Sequence, residues 1–131
     1  MNIAGKKVAY ITLGCKLNFS ETSTIRHSLE KEGTETVADK EGADIFVINT
    51  CSVTDMAEKK GRQLIRKIIH HNPGAYIVVV GCYAQLRAKE IMAIDGVSLV
   101  LGAGEKFNLA HYLQHLDEQE SSTVSWARRC V

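Results

Sequence analysis

The sequence predicts an α/β domain built on a doubly wound, mainly parallel sheet of the Rossmann or flavodoxin-like kind. Three observations predict it. Four short apolar runs, Lys7–Leu13, Ala43–Ile48, Ala75–Val80 and Val97–Leu101, alternate with stretches of helical spacing. The connections between them are short, which implies right-handed crossovers and helices on both faces of the sheet. Three of the runs also end in a small residue followed by a cysteine, namely Gly14-Cys15, Thr50-Cys51 and Gly81-Cys82.

Each element has a local reason. Lys7–Leu13 is rich in β-branched and aromatic residues, is too short for a helix and is closed by Gly14. Asn18-Phe-Ser-Glu21 has the spacing of a capping box, so a helix is expected over Ser20–Glu32, with Ile25 and Leu29 on one face and Gly33 as its stop. Thr34–Val37 is a short strand candidate. Ala43–Ile48 is apolar after Asp44, as a strand buried on both faces must be, and it runs into Asn49-Thr50-Cys51. Thr54 and Asp55 cap and charge a long helix carrying Met56, Leu64, Ile65, Ile68 and Ile69, which Asn72-Pro73-Gly74 ends. Ala75–Val80 is continuously apolar, Gln85–Ala93 has the pattern of a shorter helix, and Val97–Leu101 leads through Gly102-Ala103-Gly104 to an amphipathic helix near Asn108–Leu116. From Asp117 the sequence is polar and aperiodic. The expected division is therefore a domain over 1–116 and a tail or linker over 117–131.

Composition narrows the function. With 131 residues, 45% of them hydrophobic, and a single proline, the chain has the profile of one ordinary globular domain. No apolar run approaches the ~20 residues that cross a bilayer, and Met1–Lys7 has no secretory hydrophobic region, so a cytoplasmic protein without a membrane partner is expected. In a reducing compartment four cysteines point to metal, redox chemistry or core packing before disulfides. The net charge of +1 lacks the basic excess of a module that grips nucleic acid unaided.

Cys15, Cys51 and Cys82 carry the strongest chemical signal. Open α/β sheets bind ligands beyond the carboxyl ends of their strands, where strand order reverses. Each of the three follows a strand and precedes a helix, whose positive end favours a thiolate. A single buried cysteine is often a small hydrophobe, but three at equivalent positions argue for a shared ligand, and thiolate-rich sites suit zinc or iron–sulfur clusters. A structural zinc site wants four ligands. His27, His70 and His71 fall inside or at the far ends of helices, and Cys130 lies in the unanchored tail. A [4Fe–4S] cluster held by three cysteines would keep one iron open to an exogenous ligand.

Thr12-Leu-Gly-Cys-Lys-Leu-Asn18, Val47-Ile-Asn-Thr-Cys-Ser-Val-Thr54 and Val80-Gly-Cys-Tyr-Ala-Gln85 closely resemble the N-terminal domain of the radical S-adenosylmethionine methylthiotransferases. Ala57, Lys60, Arg62 and the Gly102–Lys106 turn extend the resemblance over Lys7–Leu116, and the Gly-Cys-Lys-Leu-Asn form is most like the branch acting on N6-threonylcarbamoyladenosine in tRNA. The resemblance implies an auxiliary [4Fe–4S] cluster on Cys15, Cys51 and Cys82 that supplies or holds sulfur for 2-methylthiolation. A second [4Fe–4S] cluster that cleaves S-adenosylmethionine is implied for a further domain. The Cys-x-x-x-Cys-x-x-Cys motif of that cluster is absent from this sequence, so the chain alone is expected to be inactive, and tRNA is expected to be met through the longer enzyme.

Asn18 and Asn49 match the family pattern beside the ligand cysteines and are candidates to hydrogen-bond the cluster. The competing readings are a helix cap for Asn18 and a strand-end turn former for Asn49. Lys59, Lys60, Arg62, Arg66 and Lys67 read as a solvated helix face, with RNA phosphates as the alternative contact. Two other functions compete with the first: a flavodoxin-like binding or regulatory module, for which Asp44 stands at the wrong end of its strand, and a structural zinc module without catalysis.

Overall fold

The computed structural model describes residues 4–13, 16–38, 42–50, 55–81, 88–102 and 109, with the side chains of 16–18, 55, 57 and 88 left out of the description. Five parallel strands form one sheet in the order β2-β1-β3-β4-β5. The strands are β1 (Lys7–Thr12), β2 (Glu35–Thr36), β3 (Ile45–Thr50), β4 (Tyr76–Gly81) and β5 (Val97–Leu101). Helix α1 (Lys16–Lys31) connects β1 to β2, α2 (Asp55–His71) connects β3 to β4, and α3 (Ala88–Met92) lies between β4 and β5. This is the flavodoxin-like strand order, and the doubly wound expectation holds.

Alternation along the strands sorts the core into two layers. Val8, Ile45, Val47, Val78, Val80, Leu99 and Leu101 face Ile25 and Leu29 of α1. Ala9, Phe46, Ile48, Ile77, Val79 and Val100 face Ile65 and Ile68 of α2 and Ile91 of α3. A parallel sheet needs this double cover because both faces of its strands are apolar. No described helix is long and apolar enough to cross a membrane.

The helices end as the sequence predicts. Gly33 takes φ +96° after α1, its N–H reaches the Glu30 carbonyl at 3.0 Å, and the Thr34 N–H reaches that of Leu29 at 3.4 Å. That pairing is the left-handed termination that glycine permits. Asn72 closes α2 with both its backbone N–H and its Nδ2 on the Ile68 carbonyl, each at 3.0 Å.

Two boundaries differ from expectation. Helix α1 starts at Lys16, so Asn18 lies inside its first turn and does not cap it. A capping-box pattern is a local signal, and here the chain turns into helix sooner, directly behind the β1 edge. Strand β3 runs on to Thr50 because Asn49 and Thr50 pair with Val80 and Gly81 of β4. Asn49 is therefore a strand residue and not a turn former. The helix expected at Gln85–Ala93 is described over Ala88–Met92, whereas the helix expected near Asn108–Leu116 falls, apart from Leu109, outside the described residues, as do the tail and residues 103–106 of the glycine turn.

On the α1 side, Tyr10 packs against the core, and its phenol is pushed well above its usual range, first by burial and then by the Glu30 carboxylate. It stays neutral at any physiological pH.

The two layers lie on opposite faces of the sheet, so truncations in each should act independently. Leu29→Ala and Ile65→Ala should each cost about 2–5 kcal/mol, and the double variant should lose their sum to within about 0.5 kcal/mol. Urea unfolding of the four proteins measures this; marked non-additivity would mean that the layers share one packing unit.

Candidate functional site

Strands β1, β3 and β4 are neighbours, and their carboxyl ends are level. Thr12 is in register with Asn49, and Thr50 with Gly81. The Leu13 N–H reaches the Asn49 carbonyl at 2.8 Å, which carries the β1–β3 pairing one residue past β1. Cys15, Cys51 and Cys82 lie outside the described residues, as does Cys130. What is described is the point from which each of the first three is entered: Leu13, Thr50 and Gly81, all at one edge of the sheet. The strand order reverses between β1 and β3 at this same edge, where such sheets hold their ligands.

A polar seat lies beneath the edge. The Asn49 side chain is fully buried, and its Nδ2 donates to Thr22 Oγ1 of α1 at 3.1 Å. Thr22 Oγ1 is in turn 2.8 Å from Thr12 Oγ1, a hydroxyl pair in which either can donate. On the other face Thr50 Oγ1, also buried, donates to the Val80 carbonyl at 2.7 Å. These bonds tie β1, α1, β3 and β4 together at the level where the chain leaves the sheet. Buried polar groups are tolerated only when bonded in this way.

Sequence reasoning missed Thr12 and Thr22. The available signal was Thr22 standing three and seven positions before Ile25 and Leu29, which makes it a polar residue on an apolar helix stripe. Asn49 was singled out, but its partner on α1 was not. The Asn18 side chain is outside the described residues.

Gly81 has a structural cause of its own. Its φ is +107°, and a Cβ built on it would meet the Thr50 carbonyl oxygen at 2.6 Å and Asn49 Oδ1 at 2.9 Å. The residue before Cys82 is thus small because β3 backbone occupies the space, whatever stands beyond the edge.

The described histidines lie elsewhere. His27 is exposed along α1, and His70 and His71 are exposed in the last turn of α2, at the amino edge. At that opposite edge a shallow depression is lined by Lys7, Asp44, His71, Asn72 and Pro73, among others. Asp44 accepts a hydrogen bond there from the Lys7 backbone N–H at 3.0 Å. No acidic residue stands at the carboxyl end of a described strand, which is where a phosphoryl-accepting regulator would need one. Among the described residues no group of three His, Cys, Asp or Glu side chains is placed to hold a metal.

An all-parallel sheet in this order, with the carboxyl ends of three adjacent strands level at the switch point, defines a doubly wound α/β domain with a candidate ligand edge. Residues 7–102 match the family described as Uncharacterized protein family UPF0004, and the chain belongs to that family, the N-terminal domain of methylthiotransferases. Among curated proteins, it is 44% identical over 112 residues to a threonylcarbamoyladenosine tRNA methylthiotransferase of Bacillus subtilis (strain 168), covering 86% of this chain and 25% of that protein. A protein of the same description from Aquifex aeolicus (strain VF5) is 37% identical over 119 residues, 90% of this chain and 29% of its own length. A tRNA-2-methylthio-N(6)-dimethylallyladenosine synthase of Christiangramia forsetii is 32% identical over 117 residues, 86% of this chain and 24% of its own length. The chain therefore spans about a quarter of the length of these relatives.

The polar seat gives a direct test. Thr22→Val keeps the shape but removes the hydroxyl that Asn49 and Thr12 meet, and should cost about 1–3 kcal/mol, whereas Thr22→Ser should recover most of it. Gly81→Ala should cost at least about 2 kcal/mol from its backbone conformation alone. Equilibrium unfolding reads both, and a Thr22→Val protein as stable as the parent would show that the seat contributes nothing.

Proposed function

We propose that this domain holds an auxiliary [4Fe–4S] cluster on Cys15, Cys51 and Cys82, as the sulfur-supplying domain of a longer tRNA methylthiotransferase. The substrate of that enzyme is N6-threonylcarbamoyladenosine in tRNA, which receives a 2-methylthio group. The reading is supported above all by the level carboxyl ends of β1, β3 and β4. Cys51 and Cys82 are each one peptide bond beyond a residue of the Thr50–Gly81 pair. Neighbouring strands are about 4.8 Å apart and consecutive Cα atoms 3.8 Å, so the two Cα atoms are within about 12 Å of each other by covalent geometry alone. Cys15 joins Leu13 to Lys16, the first residue of α1, across two positions.

The donor set fits the group. Thiolates are the ligands of iron–sulfur clusters, and the described histidines that could complete a zinc tetrahedron lie along α1 or at the opposite edge. When bound, a cluster on three cysteines supplies an iron open to a sulfur donor. The chain's own residues do the positioning: Asn49, Thr22 and Thr12 fix the ends of β1 and β3 against α1, and Gly81 lets β4 close on β3. Helix α1 begins one residue after Cys15, so its unpaired N–H groups favour a thiolate there. Asn18 and Asn49 remain candidates to bond the cluster.

The relatives' names support the tRNA substrate and the branch. The second cluster, S-adenosylmethionine and the radical chemistry belong in this reading to the part of the longer enzyme beyond this chain, which acts in the cytoplasm. Residues 117–131 are the linker toward it.

Anaerobic reconstitution with iron and sulfide, followed by metal analysis and absorbance, should load the chain with iron and sulfide in equal amounts and with no zinc. Cys15→Ala, Cys51→Ala and Cys82→Ala should each lose that iron, and Cys130→Ala should keep it. In the longer enzyme the first three should abolish thiolation while sparing cleavage of S-adenosylmethionine, and the 131-residue chain alone should thiolate nothing. Stoichiometric zinc, or iron retained without Cys51, would overturn the assignment.

A further inference from the structure

Helix α2 turns Lys59, Lys60, Gln63, Arg66 and Lys67 to solvent, followed by His70 and His71. Five Lys and Arg against two acids give this helix a formal charge of +3, so in a chain of net +1 the remaining residues carry −2. Both acids lie before Lys59, and from there to His71 the helix contains none. Along the helix Lys59 has Asp55 and Arg62 has Glu58 four positions before it, whereas Lys60, Arg66 and Lys67 have no carboxylate three or four positions away. Arg62 sits lower on the flank, 3.8 Å from Glu90, and is outside the stripe. Among the described residues the solvent side of α1 is different in kind: Phe19, Ser20, Thr24, His27, Glu30 and Lys31 balance to neutrality.

Ordinary helix electrostatics accounts for only part of this. Cations in a last turn are favoured by the helix dipole, which covers His70, His71 and Lys67. Lys59 and Lys60 stand in the first half of the helix, where that term gives no benefit. With no acid three or four positions away, Lys60, Arg66 and Lys67 have no along-helix pairing to offset their mutual repulsion.

We infer that the exposed stripe of α2 is a contact surface for the phosphate backbone of RNA. The inference rests on the tRNA reading above and adds to it where the substrate lies. Helix α2 follows β3, so its first turn stands at the carboxyl edge and its last turn at the amino edge. From Lys59 to His71 the stripe runs about 18 Å down the flank at 1.5 Å per residue. A nucleotide presented at the edge therefore has its adjoining backbone beside this helix. A protein partner fits less well, because interfaces between proteins centre on several buried apolar or aromatic anchors, and among its described residues the solvent side of α2 offers one, Met56, exposed a turn before Lys59 and Lys60.

The test uses the 131-residue chain and an unmodified tRNA transcript, with binding measured from about 50 to 200 mM salt. Neutralising about four phosphates gives a log–log slope near −3, hence a loss of roughly 60-fold in affinity across that range. Lys59→Gln/Lys60→Gln/Arg66→Gln/Lys67→Gln should bind at least about 10-fold more weakly at the low-salt end and reduce the slope to near zero, whereas Lys59→Arg/Lys60→Arg should behave as the parent. All four positions are exposed, and the two pairwise variants, each expected to remove about half the slope, stand in should the fourfold variant fail to fold. Unchanged affinity and slope in the variants, or no salt-dependent binding by the parent chain, would overturn the inference. A chain that takes up the cluster yet ignores RNA would sink this surface alone. One that binds RNA through α2 yet takes up no cluster would sink the cluster reading alone.

Discussion

All six residues of β3 are buried, because the strand has paired neighbours on both sides and a helix layer over each face. A strand so enclosed has no water to satisfy a polar side chain. Its first four residues, Ile45 to Ile48, meet that constraint by being apolar. Asn49 and Thr50 meet it by bonding inward, Asn49 to Thr22 and Thr50 to the Val80 carbonyl. The switch from apolar to internally bonded polar residues at one end of one strand turns a uniform core into a core with a defined rim. The placing of α1, the closeness of β4 at Gly81 and the level of the three strand ends all refer back to it.

The apolar runs made the strands legible, since a parallel sheet covered on both faces leaves an unbroken hydrophobic signature. Helix terminations at Gly33 and Asn72-Pro73-Gly74 were legible for the same local reason: backbone conformation is written in residue type. Local pattern misled at Asn18, where a capping signature lies within a helix that begins earlier. It also fell short at Asn49 and Thr50, whose strand character comes from pairing with β1 and β4 and not from their own preferences. The Thr12–Thr22–Asn49 contact was illegible because it joins residues up to 37 positions apart through tertiary packing alone. The cysteines were singled out by their position relative to the strand ends, and they lie outside the described residues.

The two edges of the sheet divide the chemistry. The amino edge gathers Lys7, Asp44 and His71 around a shallow depression, with Asp44 occupied in holding the Lys7 backbone. Among the described residues it has charge but no soft donors. The carboxyl edge has the strand ends that lead to the cysteines and is free of acidic residues at those ends. Asp55 and Glu58 open α2 beside that edge, and its basic residues follow from Lys59 onward.

Every strand pairing in the sheet is parallel, so no two neighbouring strands are joined by a hairpin. Parallel neighbours need a crossover between them, and such contacts form late because a long loop must close first. In a chain emerging from the ribosome, β1 has no β3 to pair with until Thr50 has been made, and β4 joins only after a further helix. The rim formed by β1, β3 and β4 therefore does not exist on any shorter nascent segment. A nascent segment that stops short of Gly81 has the first strands and α1 but not the level edge of Thr50 and Gly81, so whatever that edge does begins only once the fourth strand has paired.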